Sequence, residues 1–135
     1  MNTIARLGWD DSFESAWTAL AKENLQPGRV IADYGASYKI AVPTELRAAI
    51  SGRMEYLLEP HEMPKVGDWV TAHALDDGQG IIHDVLPRRS EIGRKQPGER
   101  VAKQVLAANV DIAFLVQALD HDFSPERLQR YLFQL

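Results

Sequence analysis

Val66-Gly67-Asp68-Trp69-Val70, followed after a turn by Ile81-Ile82-His83-Asp84-Val85-Leu86-Pro87-Arg88-Arg89, decides how this chain is read. Val66, Trp69 and Val70 suit a half-buried strand, and Gly67-Asp68 turns the chain into it. Asp76-Asp77-Gly78 is a natural turn before the second strand. Pro87 has no amide hydrogen with which to continue a ladder, so that strand stops where the arginines begin. The pattern predicts the closing strands of a small β-barrel running straight into a basic surface segment, which is the layout of a binding module and not of a catalyst.

Upstream, residues 29–34 and 38–42 flank Gly35-Ala36-Ser37, a hairpin signal in which Tyr38, Ile40 and Val42 alternate with Lys39 and Ala41. Further strands are expected at residues 46–50 and 54–58, separated by Ser51-Gly52. Residues 59–65, with Pro60 and Pro64, read as loop. About five short strands with regularly spaced turns predict a closed barrel, of which the oligonucleotide/oligosaccharide-binding (OB) type is a common case. Ahead of it lies a helix: Asp11 can cap the first turn, Glu14 can reach back in a capping box, and Phe13, Trp17 and Leu20 share one face. Asn24 and Pro27 end it. That stripe is expected to pack on the barrel, the other reading of Trp17 being an anchor for a partner.

Downstream, residues 86–98 read as a linker broken by Pro87, Gly93 and Pro97-Gly98, and residues 99–108 as a short helix. Val110-Asp111-Ile112-Ala113-Phe114-Leu115-Val116 is nearly continuous and apolar, as in a strand buried on both faces of a parallel sheet. Ser124-Pro125 then caps a helix bearing Leu128, Tyr131, Leu132 and Leu135. A buried strand followed by a capped helix is half of a strand-helix-strand unit, so the chain is expected to be a piece of something longer.

With 135 residues, 45% hydrophobic and 25% charged, the chain can bury one real core. No apolar stretch approaches the roughly 18 to 20 residues of a membrane span, and the amino terminus lacks the basic-then-apolar pattern of a secretion signal. A cytoplasmic location is expected, and the absence of cysteine fits a reducing compartment and excludes thiolate zinc sites in this stretch. The net charge of −4 is unevenly spread. Residues 28–85 carry five basic and nine acidic side chains, whereas residues 86–105 carry Arg88, Arg89, Arg94, Lys95, Arg100 and Lys103 against Glu91 and Glu99. Such a local excess can engage phosphates by counterion release, or can be no more than a solvated connector.

His61-Glu62, His73, Asp76-Asp77 and His83-Asp84 have no spacing typical of a zinc or hydrolase site, and Ser90 and Ser124 lack a nearby base. No catalytic, cofactor-binding or metal-binding residue is assigned.

The combination of Gly28-Arg29-Val30, Tyr38-Lys39-Ile40, Pro64-Lys65-Val66-Gly67-Asp68-Trp69-Val70, Leu86-Pro87-Arg88-Arg89-Ser90, Arg94-Lys95, Gln104-Val105-Leu106-Ala107-Ala108-Asn109-Val110-Asp111 and Arg127-Leu128-Gln129-Arg130-Tyr131-Leu132 resembles the amino-terminal part of the ribosome small-subunit-dependent GTPases, the RsgA/YjeQ/EngC family. The individual motifs are weak and their order and spacing carry the resemblance, from Gly28 onward. The resemblance implies a barrel that binds ribosomal RNA, a circularly permuted GTPase domain and a carboxy-terminal zinc domain, with GTP, magnesium and zinc belonging to the whole protein. On that reading residues 1–27 are a helical extension, 28–90 the OB-fold barrel, 91–108 a basic linker and 109–135 the incomplete start of the GTPase domain. The chain has neither a Gly-x-x-x-x-Gly-Lys-Ser/Thr loop nor an Asn-Lys-x-Asp element, so it is expected neither to bind nor to hydrolyse GTP by itself.

The expected partners are the small ribosomal subunit and its RNA. Arg88, Arg89, Arg94, Lys95, Arg100 and Lys103 would supply charge, and Tyr38 or Trp69 a stacking face, Trp69 being better explained as core, a large ring filling the barrel interior. The alternative is a stand-alone barrel for protein or single-stranded nucleic-acid contacts.

Overall fold

The computed structural model describes residues 3–20, 23–95 and 103–133. Strand β1 (Gln26–Asp33) pairs antiparallel with β2 (Tyr38–Val42), which turns at Pro43 into β3 (Thr44–Ile50). Helix α3 (Gly52–Leu57) carries the chain across to β4 (Trp69–Ala74), and a 3-10 turn at Asp76–Gly78 leads into β5 (Gln79–Val85). β5 runs parallel to β3 and antiparallel to β4, and β4 pairs with β1, so the order β1-β2-β3-β5-β4 closes on itself. Asp77 and Gly78 both adopt left-handed backbone at the last turn, which suits the Asp-Gly pair found there. Closure leaves these five strands without a free edge.

The alternation anticipated for β2 holds, with Tyr38 and Ile40 pointing inward beside Val30, Leu46, Ala48, Val70, Ala72 and Ile82. β4 does not alternate: Trp69, Val70, Thr71 and Ala72 are all buried. Val70 and Ala72 belong to the barrel core, while Trp69 joins a second cluster with Phe13 and Leu86. That cluster is the underside of α2 (Asp11–Leu20), preceded by the short helix α1 (Thr3–Arg6). Trp9 meets Trp69 edge-on with centroids 4.7 Å apart, and Phe13, almost without solvent contact, lies 5.9 Å from the same ring. Burying a ring of that size stabilises by about 1.5–3 kcal/mol, so the helix is held by packing and not by its own propensity. The α2 cap is Asp10, one residue before the expected Asp11: its Oδ1 accepts from the amides of Ser12 and Phe13 at 3.0 and 3.3 Å.

Four expectations need correction. The stretch read as a strand at 54–58 is α3, because Ser51 is a helix cap and not a turn residue: its Oγ accepts from Met54 N at 3.3 Å. Residues 86–108 are not simply linker followed by helix. β6 (Glu91–Lys95) and β7 (Lys103–Ala108) form an antiparallel hairpin with Arg94 opposite Gln104, and Val105 and Ala108 are buried. Trp69 does not fill the barrel interior as expected but sits in the layer between barrel and helix. Residues 110–116 form no strand among the described residues, since a strand needs a partner to accept its hydrogen bonds; Ile112, Phe114 and Val116 are exposed. Helix α4 (Pro125–Leu132) is present with the anticipated cap, Ser124 Oγ accepting from Arg127 N.

Candidate nucleic-acid interface

Among the described residues, the sequence-predicted cations differ in how far the fold uses them. Arg88 is committed internally: Nε donates to Asp68 Oδ1 at 2.9 Å and Nη2 to Asp68 Oδ2 at 2.8 Å. Its remaining hydrogens go to the carbonyls of His61 and Met63 at 2.9 and 3.0 Å and to Glu91 at 3.3 Å. Asp68 has no solvent contact, and its hydrogen bond raises the pKa of the Arg88 guanidinium above its ordinary value. A bidentate pair of this kind spends the donors a phosphate would need. Arg88 is a structural residue, and it fixes the loop that enters β4.

Arg89 remains half in solvent. Nη1 reaches Asp10 Oδ2 at 2.5 Å, Nη2 lies 3.7 Å from Asp111, and the guanidinium stacks 4.7 Å above the Phe13 ring. Arg94 is exposed on β6 and donates to Gln104 at 2.7 Å. Lys103, 56% exposed, pairs with Glu91, and Lys95 stands opposite Lys103 in the hairpin register. Arg100 lies outside the described residues. The ion pairs of Arg89 and Lys103 are solvent-screened and cost little to exchange for another anion.

Tyr38 is buried in the barrel core at 4% exposure, and burial pushes its phenol upward in pKa. Its ring offers no stacking face. The barrel does present one at the preceding aromatic position, which sequence reasoning passed over. Tyr34, the first residue after β1, is 62% exposed, with the Arg47 guanidinium carbon 5.9 Å from its ring centre. Arg47 also donates to Ser37 Oγ at 3.3 Å, and Lys39, on the strand between, pairs with Glu45. The loop beneath is firm: Tyr34 N donates to Ser37 O at 2.9 Å, and Asp33 Oδ1 accepts from Gly35 N at 2.8 Å while Oδ2 takes Lys65. Tyr34, Lys39 and Arg47 thus line a shallow depression on the β2–β3 face. In OB barrels that face and the β1–β2 loop are the usual oligomer-binding surface. Alternation alone would set Tyr34 on the inward face with Val30; the register shift between Val30 and Ala32 turns it outward, so no local signal in the sequence marked it.

Among the described residues, no group of three or more His, Asp or Glu side chains could hold a metal ion. No helix there is long and apolar enough to cross a membrane.

No family model matches the chain. Among curated proteins, it is 40% identical to the small ribosomal subunit biogenesis GTPase RsgA of Opitutus terrae, over 96% of this chain and 38% of that protein. It is 38% identical to RsgA of Leptospira interrogans over 93% of this chain and 34% of that protein. The resemblance to the RsgA family is thereby shown. RsgA of Syntrophotalea carbinolica matches at 37% over 96% of this chain and 38% of the relative. The chain therefore spans little more than a third of the length of these RsgA relatives. The crystal structure of YloQ, a circularly permuted GTPase, superposes with a TM-score of 0.55 at 23% identity, covering 82% of this chain and 36% of YloQ. That likeness confirms the fold, a mainly β chain with a closed five-strand OB barrel.

Proposed function

We propose that this chain is the amino-terminal, RNA-binding part of a circularly permuted GTPase that acts in late maturation of the small ribosomal subunit, in the cytoplasm. The observation that carries the reading is the alignment of 96% of this chain with part of RsgA proteins at 37–40% identity, on a barrel of the expected type. Barrel and hairpin would meet ribosomal RNA by shape and phosphate contact, with Tyr34 offering a stacking face beside Arg47. Arg89, Arg94 and Lys103, whose internal partners are weak, would exchange them for phosphates, and Lys95 and Arg100 would add to the basic set. Arg88 and Tyr38 are left out of it, since both are used up in the fold.

On this reading residues 109–135 begin the nucleotide domain. GTP, magnesium and zinc then belong to sequence that this chain does not contain, because it holds neither a phosphate loop nor a base-reading Asn-Lys-x-Asp element. The residues present do not fit the nucleotide, and no step of hydrolysis is assigned to them.

The test is co-sedimentation of the chain with purified small and large ribosomal subunits. Retention by the small subunit, weakened by raising the salt, is the expected outcome; equal retention by both subunits, or by neither at low salt, rejects the reading.

A further inference from the structure

We infer that Gly67 and Asn109 lock the β6–β7 hairpin to the barrel as a rigid joint, so that the polypeptide beyond residue 110 leaves the barrel in one fixed direction. This goes beyond RNA contact and does not depend on it. The end of β7 is joined through the main chain to the loop before β4, Ala108 N donating to Val66 O at 2.9 Å, and to the residue before β6, Asn109 N donating to Ser90 O at 2.7 Å. Asn109 is buried at 3% exposure and holds a left-handed conformation at φ 52°, one that asparagine tolerates better than most residues. Its side chain then ties three segments together: Nδ2 donates to Gly67 O at 3.0 Å, and Oδ1 accepts from Arg89 N at 2.8 Å.

Gly67 makes the approach possible. At φ 94° it is itself left-handed, and a Cβ there would lie 2.0 Å from Ala108 O, so any side chain would drive the hairpin off the barrel. Two more contacts close the joint. Arg88 holds the same loop through Asp68, and Arg29, whose other nitrogen donates to the Leu7 carbonyl, reaches Asn109 O at 3.3 Å. A buried polar network whose members are all satisfied permits few alternative arrangements. The exposed Ile112, Phe114 and Val116 emerge directly beyond it, so their direction relative to the barrel is set by Asn109.

Amide hydrogen exchange on this chain tests the joint. In the wild type, the amides of Arg89, Ala108 and Asn109 should exchange about as slowly as those of the barrel strands. Asn109→Gly leaves the left-handed conformation accessible and removes the bridging amide. Losing a buried partner costs about 1–3 kcal/mol, so exchange at Arg89 and Ala108 should quicken by about 10- to 100-fold, with barrel amides unchanged. Residual dipolar couplings should likewise pass from one alignment tensor for barrel and hairpin to two. Unprotected joint amides in the wild type, or an Asn109→Gly variant that exchanges like the wild type, overturn the inference. Either result leaves the subunit-binding experiment untouched.

Discussion

Arg88→Met tests whether the first arginine after the barrel is a phosphate ligand or part of the fold. The substitution keeps most of the aliphatic stem and deletes the guanidinium, stranding Asp68, which has no solvent contact and accepts two of the lost bonds at 2.8 and 2.9 Å. It also strips the carbonyls of His61 and Met63 of their donors. Breaking a buried pair on one side costs about 3–5 kcal/mol, a large part of the roughly 5–15 kcal/mol that holds a small domain together. Urea unfolding followed by tryptophan fluorescence should show the midpoint fall with little change in slope, because the exposed surface is nearly the same. Arg88→Met combined with Asp68→Leu should recover much of the loss, since no charge is then left buried. A loss below about 1 kcal/mol, the level of a surface ion pair, would refute the assignment of Arg88 to the fold.

Phe13→Ala empties the layer between α2 and β4 and should cost about 3–5 kcal/mol in the same unfolding assay, because the ring is almost fully buried against Trp9 and Trp69. Acid should destabilise the protein through Glu91, held low by Lys103, and through Asp33, where Lys65 and the Gly35 amide outweigh an upward push from burial. Both carboxyls are depressed on folding, so their contribution is present above the unfolded values and lost as the pH falls through the folded ones. Thermal melts should therefore be flat near neutrality and fall below about pH 4. Tyr34→Ala should leave the melting temperature within a few degrees of wild type and weaken binding to small subunits by about 1–3 kcal/mol, as loss of one stacking platform does; unchanged affinity removes Tyr34 from the interface.

The barrel was legible because its signals are local. Alternation around Ile40, the Asp-Gly turn and Pro87 each point to strands or their ends without any knowledge of neighbours. α3 was missed because Ser51-Gly52 serves equally as a turn or as a helix start, and only the donation from Met54 to Ser51 Oγ decides between them. The hairpin was missed because Gly93 and Pro97-Gly98 look like linker residues, while its strands are stabilised by partners distant in sequence, Val66 and Gly67. The basic segment was legible as charge but not as an interface. Six cations in a row of text look alike, and whether one is spent on a buried carboxylate depends on Asp68, twenty residues away. Residues 110–116 show the converse: their sequence suits a buried strand, yet a strand forms only where another can accept its hydrogen bonds.

The most direct measurement of the central claim is the salt dependence of binding to small ribosomal subunits, taken for the wild type and for a variant with Arg89, Arg94 and Lys103 all changed to alanine. If these side chains meet phosphates, the wild-type affinity falls steeply with salt, and the variant's slope is shallower by about one unit for each cation removed. Identical slopes for the two proteins, or binding indifferent to salt, would contradict the account.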